Sequence, residues 1–172
     1  VAPVQKTALS QTLGEGMTGP EVRQVQQRLT DLGFQLGEVD GVYGSLTRQA
    51  VWAFEKLVMG VPRSDATGRV TPDMWSLMQD PIQVAPRRDN GGADHVEIYL
   101  PQQVMVIFHA GTPALVAHIS SGQLNPDGTP FEYSDDVTID TDEYGNPLPE
   151  PITKPIKGLA YTPPGVFQAG RE

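Results

Sequence analysis

A chain of 172 residues with a formal net charge of −9 lacks the basic stripe of a nucleic-acid partner and the cationic face that docks on an anionic bilayer. It contains no cysteine, which excludes disulfides, thiolate metal sites and a cysteine nucleophile from these residues. No apolar run reaches membrane-spanning length, and the size allows one or two small domains.

The chain begins at Val1 rather than Met and shows no signal peptide. A processed or shortened product of an exported protein is expected. Residues 1–12 have no clear period and read as a tail packed in part along the first domain.

Residues 13–80 are the most legible stretch. Three loops each precede an apolar-periodic segment: Gly16-Met17-Thr18-Gly19-Pro20-Glu21, Asp40-Gly41-Val42-Tyr43-Gly44-Ser45-Leu46-Thr47, and Gly68-Arg69-Val70-Thr71-Pro72-Asp73. Periodicity predicts a first helix over about 20–32, with Val22, Val25, Leu29 and Leu32 on one stripe. Gly33 stops it and Phe34 folds back on its last turn. A second helix is predicted over about 46–58, burying Leu46, Ala50, Ala53, Phe54 and Leu57. A short third runs over about 72–78, with Met74, Trp75 and Met78 inward. Thr18 and Glu21 have capping-box spacing, and Thr71 stands before a first-turn proline, Pro72. Trp52 and Trp75 read as core or rim packing.

Residues 81–93 form a linker, with Pro81 and Pro86 stiffening its first half and Gly91-Gly92 freeing its end. The domain boundary is placed near Arg88. At Asp94 the period changes to 2. His95 to Leu100 alternates with Val96, Ile98 and Leu100 on one face, Gln103 to Phe108 is apolar on both, and Ala114 to Ser120 succeeds the turn at His109-Ala110-Gly111-Thr112. Residues 123–159 read as a long acidic insertion with turns and one short strand at Val137 to Ile139. From Asp127 to Glu150 it holds eight acidic residues and no Lys or Arg. The expected fold is α+β in two domains, a small three-helix bundle (13–80) and a mostly antiparallel, incomplete β domain (94–172).

The run Gly16, Gly19, Val22, Val25-Gln26, Leu29, Leu32-Gly33, Asp40-Gly41-Val42-Tyr43-Gly44, Thr47, Ala50-Val51, Phe54, Gly68 and Thr71 resembles the bacterial peptidoglycan-binding domain of the three-helix type. His95-Val96-Glu97-Ile98-Tyr99-Leu100, Gln103-Val104-Met105-Val106, Ile119-Ser120-Ser121-Gly122 and Thr162-Pro163-Pro164-Gly165-Val166-Phe167 resemble the start of an L,D-transpeptidase catalytic domain. That resemblance implies a cell-wall cross-linking enzyme acting through an acyl-enzyme on a cysteine, activated by histidine in a Ser-His-Gly-Cys stretch. These 172 residues contain no such stretch, so no catalytic residue is assigned and the chain alone is expected to be inert. The framework near the family's site would include Ser121, Gly122, Thr162, Pro163 and Gly165.

For wall binding, Asp40, Tyr43, Thr47 and Arg48 cluster at the second loop. A glycan-peptide ligand suits a shallow groove with backbone amides, one aromatic face and one cation. Asp40 and Thr47 can instead cap the loop and the helix. His109 sits at a turn, and His95 and His118 sit on strands without a supporting Asp or Glu at matching spacing, so the three read as surface or edge histidines and no metal and no cofactor is assigned. An EF-hand beginning at Asp140 would need an oxygen ligand and a glutamate where Tyr144 and Pro151 stand, so that motif fails, leaving a looser calcium site against a solvated loop. Ser120, Ser121 and His118 lack a nucleophile elbow.

The first functional reading is an exported cell-wall protein that binds peptidoglycan as part of an L,D-transpeptidase. A second chain or a further C-terminal segment would complete its β domain. The alternative is a non-enzymatic wall-associated binding protein with calcium on its acidic loop. A half sheet leaves unpaired edges, so residues 103–108 are expected to be covered by the insertion, the tail or a second molecule.

Overall fold

The computed structural model describes residues 6–88, 91–122, 125 and 129–167. Three helices come first, α1 (Pro20–Asp31), α2 (Ser45–Leu57) and α3 (Pro72–Met78). Five strands come after them, β1 (His95–Tyr99), β2 (Val104–His109), β3 (Thr112–His118), β4 (Phe131–Thr141) and β5 (Pro147–Ala160). The architecture is α+β, with a three-stranded antiparallel sheet in the order β1-β2-β3 and a separate β4-β5 ribbon. The chain divides into two compact units, Val1–Ile119 and Ser120–Glu172.

The ends of α1 show how local chemistry sets an element. Pro20 occupies its first turn, where a missing N–H costs nothing. Gly33, at φ 87°, turns the chain out. The Gly33 N–H then bonds the Thr30 carbonyl at 2.9 Å and the Phe34 N–H the Leu29 carbonyl at 2.9 Å, the two bonds of a Schellman motif. The capping box expected from Thr18 and Glu21 does not form. Gly19 is the N-cap, and Glu21 instead accepts from the Ser10 N–H and hydroxyl at 2.8 and 2.9 Å, tying down residues ahead of the helix. Thr71 does cap α3, its hydroxyl accepting from the Met74 N–H at 3.1 Å.

The glycine-bearing loops hold one another. The Leu13 and Val70 backbones exchange two bonds of 2.9 Å. Gly16 donates to the Tyr43 carbonyl, Tyr43 to that of Met17, and Gly19 to that of Gly41, at 2.8–2.9 Å. The core between the helices holds Val22, Val25, Leu29, Tyr43, Ala50, Val51, Phe54, Met74 and Met78. α2 buries a wider arc than one stripe because β3 covers it as well; Val51 is fully buried, whereas Leu46, expected inward, is exposed.

The sheet packs with an inverted polarity. His95, Glu97 and Tyr99 share the inward face with Val104, Val106, Phe108, Val116 and His118. Val96 and Ile98 point the other way and are 52% and 50% exposed, alongside half-buried Met105, Ile107 and Leu115. The reason is a clasp: the buried Glu97 carboxylate accepts from the backbone N–H groups of Arg87 and Arg88 at 3.0 and 2.9 Å and from the Tyr99 hydroxyl. His95 Nε2 lies 3.2 Å from the same carboxylate, and the Arg87 guanidinium lies over the Tyr99 ring. A carboxylate with that many partners tolerates burial that an unpaired one would not.

The inner face of β2, with Val104, Val106 and Phe108, is covered by α2. Residues 33–35 also line the outer edge of β3 as a parallel bridge, with Gln35 donating to the Val116 carbonyl at 2.8 Å and Val116 to that of Gly33 at 2.7 Å.

In the second unit the acidic insertion is a ribbon of two long strands, not a loop with one short strand. Pro147, Pro149, Pro151 and Pro155 share one parity, and a two-stranded ribbon leaves one edge of each strand unpaired, where proline is tolerated.

Candidate functional site

The loop ahead of α2 is built around Gln26, a buried amide in the middle of α1. Its Nε2 donates to Asp40 Oδ1 at 2.9 Å, the Val42 carbonyl at 3.0 Å and Thr47 Oγ1 at 3.1 Å, while its Oε1 accepts from the Gly41 N–H at 2.7 Å. Gly41 sits at φ 81°, and a Cβ there would lie 3.3 Å from the Gly19 carbonyl, so the corner requires glycine. Gln26's hydrogen bond, then that of the Val42 N–H, holds the Asp40 carboxyl below its usual range.

This geometry sorts the four predicted ligand residues. Thr47 is buried against Gln26, and Asp40 is exposed but closes the loop. Tyr43 has no exposed surface, and its hydroxyl donates to the Gly68 carbonyl at 2.8 Å. Burial, reinforced by the Glu55 charge, pushes that hydroxyl's pKa up. Tyr43 therefore fixes the loop and presents no aromatic face to a ligand. Arg48 remains partly exposed at the surface; Nη1 pairs with Glu15 at 2.5 Å and its guanidinium lies 4.7 Å from the Trp52 ring centroid.

An open groove of about 480 Å³ runs beside the same loop, lined by Pro20, Arg23, Gln24, Gln27 and Val39. Arg23 is its cation. Nη1 donates to the Val39 carbonyl at 2.6 Å and Nη2 to that of Asp40 at 2.8 Å, so backbone carbonyls hold the guanidinium in place. Gln24 and Gln27 add exposed amides, and Pro20 and Val39 an apolar wall. Sequence reasoning misses Arg23 because it lies off the loop motif; the helical spacing Pro20, Arg23, Gln24, Gln27, an exposed stripe on α1, is the available signal.

The predicted framework residues lie in the second unit. The structure joins two of them: Thr162 Oγ1 accepts from the Gly122 N–H at 2.8 Å. A Cβ on Gly122 would fall 2.6 Å from the Thr162 nitrogen, so only glycine permits this approach. Ser121 bonds weakly to the Gly122 carbonyl at 3.4 Å. Pro163 and Gly165 are exposed and not part of that contact. Asp142 uses its carboxylate to close the ribbon's turn, accepting from the N–H groups of Tyr144 and Asn146 at 2.9 and 2.8 Å.

Residues 18–78 match the family model of the peptidoglycan binding domain. The crystal structure of the L,D-transpeptidase (residues 123–326) from Xylanimonas cellulosilytica DSM 15894 is 31% identical over 79% of this chain and 69% of that one, with a TM-score of 0.58. The chain belongs to the L,D-transpeptidase family. Within this L,D-transpeptidase-family chain, the Gln26 corner and the Arg23 groove both fall inside the matched peptidoglycan binding domain. A fused zinc-dependent amidase/peptidase and peptidoglycan-binding protein from Clostridium acetobutylicum ATCC 824 aligns at 17% identity over 80% of this chain and 73% of that one. Its TM-score is 0.36. No curated protein matches the chain.

Proposed function

We propose that this chain binds peptidoglycan through residues 13–80, at the surface running from the Arg23 groove to Arg48. The carrying observation is the matched peptidoglycan binding domain, with a groove whose cation is held by two backbone carbonyls beside the Asp40 loop. A stem peptide or acylated amino sugar offers carboxylate, amide and hydroxyl groups, which suit a guanidinium flanked by carboxamides over an apolar wall.

In this reading, residues 94–172 are part of the transpeptidase domain of an exported enzyme of the wall. The outer face of Val96, Ile98, Met105, Ile107 and Leu115 is where further β structure would pack, from a C-terminal segment or a second chain. With no cysteine among its residues, the chain has no thiolate to form an acyl-enzyme.

Co-sedimentation with purified sacculi tests the binding. The wild-type chain is expected in the pellet at low salt, with the double variant Arg23→Ala, Arg48→Ala about tenfold weaker, as for loss of a charge-assisted contact. A wild-type chain left in the supernatant would overturn the reading. Turnover of muropeptides by this chain alone would overturn the claim that it is inert.

A further inference from the structure

Lys56, on the face of α2 that meets β3, is only 3% exposed. Among the described residues, no carboxylate pairs with it. The adjacent Glu55 is turned away, accepting from the Thr67 N–H and hydroxyl and from the Gly68 N–H at 2.7–3.1 Å. Lys56 Nζ instead lies 2.9 Å from Nδ1 of His118, the last residue of β3. The His118 ring meets Trp52 edge-on at 5.4 Å, which fixes its plane. The same Nδ1 lies 3.1 Å from the Gln103 carbonyl.

One nitrogen cannot serve both neighbours at once. Unprotonated, Nδ1 accepts from the Lys56 ammonium; protonated, it donates to the Gln103 carbonyl. A doubly protonated ring offers no acceptor and places a second positive charge beside Lys56. The charged groups around the pair are Glu55 on α2 and Arg63 on the loop after it, while the residue just before β2 contributes the Gln103 carbonyl.

We propose that Lys56 and His118 form a pH-sensitive latch between α2 and β3, closed while His118 is neutral and opened when its ring gains the second proton. Burial, then the Lys56 charge, lowers the pKa of His118 from its ordinary 6.5. A base with a lowered folded-state value binds its proton more readily when unfolded. The latch is therefore complete above pH 6.5 and weakens as the pH falls below it. Lys56 is depressed as well: burial, then Arg63, pushes it down to about 8 from 10.5, so folding stability rises with pH across that interval while the ammonium that donates to Nδ1 is lost.

The test uses the full chain. Ring NMR should show His118 titrating below 6.5, and α2 and β3 amides should lose about tenfold in hydrogen-exchange protection between pH 7.5 and 5.5. His118→Gln keeps a side-chain acceptor that cannot be protonated in this range, and its protection should be flat. His118 titrating at or above 6.5, or equal protection slopes in the two proteins, would overturn the latch. Should the variant not fold, the wild-type ring titration still decides.

Discussion

Gln26 and Asp40 hold each other across the gap between α1 and the loop before α2, with Nε2 donating to Oδ1 at 2.9 Å. The same amide reaches Val42, Thr47 and Gly41, so one side chain sets the shape of the corner beside the proposed wall-binding surface.

Gln26→Leu, close in volume, removes those four bonds and leaves the Gly41 N–H and Thr47 hydroxyl short of partners. A loss of about 2–4 kcal/mol is expected, since stranded buried polar groups cost more than the bond itself. Urea denaturation should show a lower midpoint with an unchanged slope. A loss below about 0.5 kcal/mol, the range of an ordinary surface change, would show that the corner stands without it.

Gly68 lies at φ 65°, and a Cβ there would fall 2.6 Å from Arg48 Cγ and 2.8 Å from Trp52 Nε1. Gly68→Ala should cost about 2–4 kcal/mol from backbone strain and overpacking together. Gly16 also has positive φ, at 88°, but open space around it, so Gly16→Ala should cost about 1–2 kcal/mol. Equal melting temperatures for the two variants would remove the steric part of the argument.

The Glu97 clasp has an acid signature. Burial raises this carboxyl's pKa, but bonds from the Tyr99 hydroxyl, the Arg87 and Arg88 N–H groups and His95 outweigh it and leave the pKa below 4.5. Its folded value is depressed, so its stabilisation is present above pH 4.5 and lost as pH falls below. Glu97→Gln should lower stability at pH 7 by about 1.5–3 kcal/mol, as for bonds to a charged group, and should flatten the acid limb of stability against pH. An unchanged acid limb would place the sensitivity elsewhere.

The two faces of the three-stranded sheet should respond oppositely. Phe108→Ala, on the packed face, should cost about 3–5 kcal/mol. Ile98→Thr, on the half-exposed face, should change stability by about 0.5 kcal/mol or less and reduce self-association in light scattering. A comparable loss from Ile98→Thr would mean that this face is already packed.

The three helices were legible because each is bounded by strong local chemistry: Gly33 with Phe34 at the end of α1, and Thr71 with Pro72 at the start of α3. Thr18 and Glu21 misled, since a spacing shows that two groups can cap and not that a third, Ser10, claims one of them. A single stripe on α2 places Leu46 inward, whereas non-local packing on β3 widens the buried arc to other positions. Alternation located β1 but did not say which face packs inward, because the partners of Glu97 lie in another segment. In the ribbon, proline density hid two strands, since pairing on one edge only is a tertiary fact. At the site, the loop motif names Asp40 and Arg48 but not Gln26, whose role depends on contacts 14 to 21 residues away.

The bridge between residues 33–35 and β3 means that a protease nicking residues 81–93 would not set the sheet adrift. Severed from its covalent tether, β3 would still be gripped by Gly33 and Gln35, so the helices steer the sheet as a bracket does, not as a leash. Wherever the wall catches the helices, the bearing of that strand is decided in the same event.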